Sequence, residues 1–173
     1  AATSETAAAK KELPAKPFSE DTLFNLLVGE LAVYERDLAT AVDNYRREAL
    51  YTHDTAITAR AAKLSRYLRD EVAAIEMAEL WYQLAPESAT AANNLADLYA
   101  RSSRPLQALD VLEAQLTNSQ QPKFGILRNS KFQSKEILNT VVQRLGQLTE
   151  KPDHNNFSLI FFNSFYFVCP FSC

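Results

Sequence analysis

The sequence predicts an all-α fold, a solenoid of antiparallel helix pairs, on the strength of three observations. One set of small residues recurs at spacings of 33 and 34 residues: Gly29, Ala62 and Ala96. A second small set follows each of these by 12 residues: Ala41, Ala74 and Ala108. The chain is also rich in alanine and has only three glycines, which favours helix throughout. A period of this length is typical of helix pairs that bury their apolar faces only against neighbouring pairs.

The small residues have a mechanical explanation. Small side chains at both sites let two helices approach closely where their axes cross, so we expect Ala62 and Ala96 to be buried at helix crossings. Alanine is also a strong helix former, and an alanine-rich chain can show such spacings by chance. The 34-residue copy nevertheless favours a true repeat, because it also brings a leucine, a tyrosine and a proline into register.

The third copy carries a fuller motif. It reads Leu95-Ala96-x2-Tyr99, followed by Ala108 and Leu112, and resembles the tetratricopeptide (TPR) signature. The other copies depart from this signature, since Trp81 and Glu48 stand where small residues are usual. The chain therefore resembles a divergent TPR array, and the resemblance implies a right-handed superhelix of antiparallel helix pairs.

Capping residues predict where the helices begin. Ser19 is a suitable N-cap, with acidic residues in the turn after it. Comparable start signals are Asp37, Asp54 or Thr55, Asp70 and Ser88. Pro105 fits the first turn of its helix, where a missing N–H costs nothing. The predicted pairs are 19–34 with 37–51, 55–68 with 71–84, and 88–101 with 104–117. The expected apolar stripe of the first helix is Leu23, Leu26, Leu27 and Leu31.

The three predicted pairs occupy residues 18–117, and the composition differs on both sides of them. Residues 1–17 are small, lysine-rich and end in proline, which predicts a flexible tether. Residues 118–153 contain no alanine, and we expect a degenerate fourth pair there, with a weak first helix at 122–132. Its second helix is predicted from an amphipathic stretch: Ile137, Leu138, Val141, Val142, Leu145 and Leu148.

The last segment, residues 154–173, is apolar, contains no charged residue and is rich in phenylalanine. One interpretation is the start of a fifth unit that has lost its partner helix. A second is a truncated or out-of-frame terminus. A third is a transmembrane helix, which needs about 20 predominantly apolar residues, whereas Asn163, Ser164 and Pro170 interrupt this run. We expect Cys169 and Cys173 to be incidental rather than a metal or redox pair.

The composition excludes several classes of function. With 47% hydrophobic and 23% charged residues and a net charge of −3, the chain has no electrostatic footprint for nucleic acid. His53 and His154 stand apart from any metal-ligand spacing, and no phosphate loop or nucleophile elbow occurs. We therefore expect no enzyme activity, no catalytic or metal site and no cofactor, and we expect His53 to lie in a loop between repeats.

The resemblance implies that the first helices of successive pairs line an inner, concave surface that binds protein partners. Register assigns ten candidates to this surface: Glu30, Tyr34, Arg60, Lys63, Arg66, Tyr67, Asn93, Asn94, Asp97 and Arg101. The middle of the surface is basic with an aromatic neighbour, which suits an acidic or carboxylate-bearing partner segment. The alternative is an ordinary solvated helix face. The carboxylate clamp of chaperone-binding TPR proteins is not reproduced cleanly.

A closer resemblance covers roughly residues 17–117. Two stretches are similar to the N-terminal part of proteobacterial outer-membrane TPR lipoproteins. The first is Pro17-Phe18-Ser19-Glu20-Asp21-Thr22-Leu23, with Leu26 to Glu30 and then Asp37-x3-Ala41-x3-Tyr45. The second is Ala59-x-Ala61-x6-Leu68-x5-Ala74-x6-Trp81-x4-Pro86. Some of these lipoproteins are adaptors that deliver cell-wall hydrolases to a carboxyl-terminal-processing protease.

That resemblance implies a scaffold on the periplasmic side of the outer membrane, attached only through a lipid anchor outside this chain. It also implies that the residues here begin inside a longer precursor. An envelope assembly factor for a pilus or for cell-wall machinery is the alternative. A cytoplasmic regulator is a third interpretation.

Overall fold

The computed structural model describes residues 18–117, 122–130 and 135–149. The expected tether at 1–17 and the apolar segment at 154–173 lie outside the described residues. So does the start of the expected fourth pair at 118–121.

The fold is an all-α solenoid in which consecutive helices pack against one another. The helices of the first three pairs are α1 (Glu20–Tyr34), α2 (Leu38–Thr52), α3 (Thr55–Leu68), α4 (Glu71–Leu84), α5 (Ala89–Arg101) and α6 (Pro105–Thr117). Their bounds agree with the predicted bounds to within one residue at each end.

Side-chain caps explain why the helices begin where they do. The five predicted N-caps each accept a hydrogen bond from a backbone N–H in the first turn: Ser19, Asp37, Asp54, Asp70 and Ser88. Each bond satisfies a donor that has no partner within the helix. Pro105 is the first residue of α6, as predicted. His53 ends α2 in the left-handed region at φ 51°, so it lies between repeats as expected.

The small residues of the repeat lie in the core. Ala62 and Ala96 are fully buried, as predicted, and so is the second small set at Ala41, Ala74 and Ala108. Gly29 is buried too, and a Cβ atom added there would lie 3.1 Å from the ring of Tyr45. The crossing of α1 and α2 is therefore tight enough to explain a glycine at this register position.

The predicted apolar stripe of α1 is wrong as a core face. The side of α1 that packs on α2 buries Thr22, Gly29 and Ala32, whereas Leu23, Leu27 and Leu31 are each more than half exposed. Of the predicted stripe, only Leu26 packs partly against the core. The physical reason is that tight helix crossings select small residues, which leaves the leucines on the opposite side.

The fourth unit begins differently from the prediction. In place of a first helix over 122–132, a 3-10 helix spans Phe124–Asn129 and packs on α5 and α6. Its start has no side-chain cap, and Gly125 weakens helix formation there. Helix α7 (Lys135–Thr149) then packs on α6 and buries Val141 and Leu145, while Val142 remains about half exposed.

Candidate functional site

The first helices of the three pairs, α1, α3 and α5, carry all ten predicted binding residues. Two ion pairs connect these helices across the repeats: Glu30 of α1 with Arg60 of α3, and Arg66 of α3 with Asp97 of α5. The paired residues are 30 and 31 apart, about one helical turn short of the repeat spacing, so neighbouring first helices lie close enough for their side chains to meet. We call the surface that these helices form the first-helix face.

The α1 end of this face holds a polar cluster around Glu30. Both carboxylate oxygens of Glu30 accept hydrogen bonds from Arg60 at 3.1 Å, and one also accepts from the hydroxyl of Tyr45. The hydrogen bond from Tyr45, together with the Arg60 guanidinium, lowers the pKa of Glu30. Burial and the bond to Glu30 raise the pKa of Tyr45 to about 12. Glu30 is thus held as a carboxylate, already paired with a cation.

The α5 end holds a second ion-pair group around Asp97. One carboxylate oxygen of Asp97 lies 2.6 Å from Arg66 and 3.0 Å from Arg101. The Asp97 side chain is 13% exposed, while both arginines are far more accessible. Two cations therefore share one carboxylate, and the group keeps an excess positive charge that points toward solvent.

An open cleft of about 590 Å³ is lined by Lys63, Arg66, Tyr67 and Arg69, at the carboxyl-terminal half of α3 and the residue that follows it. The Lys63 ammonium sits 5.7 Å from the centre of the Trp81 ring, a cation–π distance. Tyr67 presents a ring that is 76% exposed. Within the part of the chain that the structure describes, neither Lys63 nor Arg69 forms an ion pair with a carboxylate.

Arg69 is the lining residue that the sequence analysis did not assign. It follows the last residue of α3 and adopts the left-handed conformation at φ 63°. Helix periodicity does not place Arg69, because the left-handed residue leaves the helical register.

Three predicted residues have surroundings of a different kind. Asn93 accepts a hydrogen bond from Gln115 of α6 at 3.4 Å, so it faces its own pair. Asn94 has a buried side-chain oxygen with no hydrogen-bond partner among the described residues. Tyr34 is 83% exposed and continues the apolar stripe of α1. The structure thus groups Lys63, Arg66 and Tyr67 at one cleft. Asn93, Asn94 and Tyr34 do not line this cleft.

The charges and the aromatic ring of the cleft indicate what it can bind. Across the described ranges, no group of three or more His, Cys, Asp or Glu side chains could hold a metal ion. No helix in those ranges is long and apolar enough to cross a membrane. What the cleft offers is a set of cations around an exposed aromatic ring, a combination that binds carboxylates and aromatic or apolar side chains.

The fold and this face define the class: a TPR-like α-solenoid with an exposed surface for binding other proteins. No protein-family model matches the chain. The chain is similar to the TPR repeat-containing protein PA4667 of Pseudomonas aeruginosa, with 32% identity over 125 residues. The matched region covers 71% of this chain and 21% of that protein, so the chain spans about a fifth of the length of its relative. This similarity supports a protein–protein interaction scaffold.

Proposed function

We propose that the chain is a non-catalytic scaffold whose first-helix face binds an acidic segment of a protein partner. The observation that carries this proposal is the cleft of Lys63, Arg66, Tyr67 and Arg69. Three cations and one exposed ring line this cleft, and Asp97 neutralises only part of the positive charge. An extended peptide with carboxylates and an apolar or aromatic side chain complements this arrangement.

The arrangement of charges also indicates how binding proceeds. Cations that are exposed and unpaired attract an acidic partner from a distance, so they speed association more than they strengthen the final complex. Lys63 is held above Trp81, and this contact reduces the freedom that the side chain must lose on binding. The ion pair of Arg66 with Asp97 fixes the position of the arginine in the same way.

For the cellular role, we infer an adaptor that brings a carboxyl-terminal-processing protease and its cell-wall hydrolase substrates together by raising their effective concentration. The adaptor would be a lipoprotein on the periplasmic side of the outer membrane, held by an anchor outside this chain. The resemblance of residues 17–117 to TPR lipoproteins supports this role and location. An envelope assembly factor using the same face is the second candidate.

The test is a charge reversal in the cleft that spares the ion pairs between helices. Lys63→Glu/Arg69→Glu is compared with Arg128→Glu/Lys135→Glu, which makes the same charge change at exposed residues of the fourth unit. Binding to a purified proteobacterial carboxyl-terminal-processing protease is followed by surface plasmon resonance at several salt concentrations. We expect the cleft variant to associate about tenfold more slowly at low salt and to lose most of its salt dependence. The control should match the wild type.

Equal association rates for both double variants would place binding elsewhere. A companion pull-down from a bacterial envelope extract separates the two cellular roles. Recovery of the protease together with hydrolases supports the adaptor. Recovery of pilus or cell-wall assembly proteins without a protease, lost in the cleft variant, supports the assembly factor.

A further inference from the structure

Helix α1 presents an apolar stripe to solvent on the side opposite its contact with α2. Five large side chains form this α1 stripe, each between 54% and 83% exposed: Leu23, Phe24, Leu27, Leu31 and Tyr34. Soluble proteins rarely leave such a continuous patch exposed, and one of this size indicates an interaction site. The stripe carries no charge, and the neighbouring Glu30 is already paired with Arg60.

The spacing within the stripe identifies the kind of element that fits it. Phe24, Leu27, Leu31 and Tyr34 follow one another at intervals of three, four and three residues. This is the pattern of core positions in a coiled coil, where each side chain packs into a hole on a facing helix. The complementary surface is therefore another helix with the same spacing, crossing α1 at a small angle.

A second copy of α1 itself fits this description when it runs antiparallel. The pairing then repeats in two layers: Leu27 packs against Leu31 of the other copy, and Phe24 packs against Tyr34. The antiparallel arrangement also sets the opposite ends of the two helix dipoles together.

The area is sufficient for a reversible dimer. If these five side chains were buried completely, each copy would bury at most about 500–600 Å². The total of about 1,000–1,200 Å² reaches the lower end of specific protein–protein interfaces. We infer that the chain forms a two-fold dimer through antiparallel pairing of α1. The inference is independent of the proposed function, and the dimer would present two clefts, which strengthens binding to a partner with two acidic segments.

The test measures the oligomeric state of the full chain by sedimentation equilibrium at concentrations up to about 100 µM, where an interface of micromolar affinity is populated. We expect the wild type to be dimeric at the upper end. Leu27→Glu should be monomeric, because it places a carboxylate against Leu31 of the partner copy. Val72→Glu is the matched control, since Val72 of α4 is a similarly exposed apolar residue outside the stripe. It should remain dimeric.

A mixture of two variants tests the antiparallel register. Leu27→Glu and Leu31→Lys should each be monomeric alone and should form a heterodimer together, because the introduced carboxylate and the introduced ammonium then meet in one layer. Parallel pairing would bring no such contact. As a variant that adds no charge, Phe24→Ala should raise the dissociation constant about tenfold.

A monomeric wild type would overturn the inference, and so would a Leu27→Glu variant that stays associated to the same degree. Absence of the heterodimer would overturn the antiparallel register. Circular dichroism of each variant verifies that helix content is unchanged.

Discussion

The first and second helix pairs have the same architecture but bury different kinds of residue. Helix α1 buries only Thr22, Gly29 and Ala32, and five of its large apolar residues are more than half exposed. Helix α3 packs on both α2 and α4 and buries six residues, among them Ile57 and Leu64. A repeat helix gains its core from the neighbours on its two sides. Among the described residues, α1 packs mainly on α2, and its apolar stripe remains exposed.

The two junctions between first helices differ as well. Glu30 at the first junction is about half exposed and bonds to both Arg60 and Tyr45. Asp97 at the second junction is largely buried and holds two arginines. Each junction is bridged by one carboxylate, but only the second leaves excess positive charge. Arg66 belongs both to the second junction and to the cleft, so this excess charge lies at the cleft.

The largest effect is expected at Trp81 of α4, which is buried and lies beneath Lys63 of α3. Trp81→Ala should lower the free energy of unfolding by about 3–5 kcal/mol, because it removes a large buried side chain and leaves a cavity. Phe24→Ala in the α1 stripe should cost less than about 1 kcal/mol when measured at a concentration where the chain is monomeric. Denaturant unfolding of both variants checks this. Equal losses would mean that α1 is as well covered as α4.

The next effect concerns the close crossings of helices in the middle of the array. Ala96 is fully buried, so Ala96→Leu should cost about 1–3 kcal/mol through overpacking. Ala56→Leu, at an exposed position of α3, is the control and should change stability by less than about 0.5 kcal/mol. Thermal unfolding of the pair measures the difference. A neutral Ala96→Leu would show that the repeat frame is wrong.

The repeat frame and the helix ends could be predicted from the sequence because local chemistry determines them. Asp70 and Ser88 each cap a backbone N–H in the first turn of their own helix, which is a local interaction. Ala62 is small because it lies fully buried where two helices pack closely. The direction of the apolar face of α1 could not be predicted in this way. A leucine stripe has a clear period, but the period does not say which neighbour covers it.

The site was predictable only in outline. Register placed Lys63, Arg66 and Tyr67 on one face, and the structure brings them to one cleft. The sharing of Asp97 by Arg66 and Arg101 depends on side-chain rotamers and on the spacing between helices, which a sequence does not contain. Arg69 was missed because its position follows from a left-handed turn after the helix.

A smaller effect compares the two junctions directly. Asp97→Asn should lower the free energy of unfolding by about 1 kcal/mol, since it removes one charge from two ion pairs at a largely buried oxygen. Glu30→Gln should cost about 0.5 kcal/mol or less, because both members of its ion pair are well exposed to solvent. Urea unfolding at low and moderate salt measures both. A larger loss for Glu30→Gln would reverse the ranking of the junctions.

The smallest effect is spectroscopic and reports on the first junction alone. Burial and the hydrogen bond to Glu30 raise the pKa of Tyr45 to about 12, above the ordinary value of about 10. The folded state therefore holds this proton more tightly than the unfolded state, so the stabilisation is complete below pH 10 and is lost as the pH rises from 10 to 12.

A rapid pH jump, with phenolate absorbance read before unfolding, measures this pKa. The difference between wild type and Tyr45→Phe isolates one phenolate, which we expect to form near pH 12. In a Glu30→Gln background the same difference should shift to lower pH but stay above the ordinary value, because burial is the larger cause. A phenolate that appears near pH 10 in the wild type would mean that the hydroxyl of Tyr45 faces water. Helix α1 would then be less closely packed on α2 than the 3.1 Å between the Tyr45 ring and a Cβ atom added at Gly29 indicates.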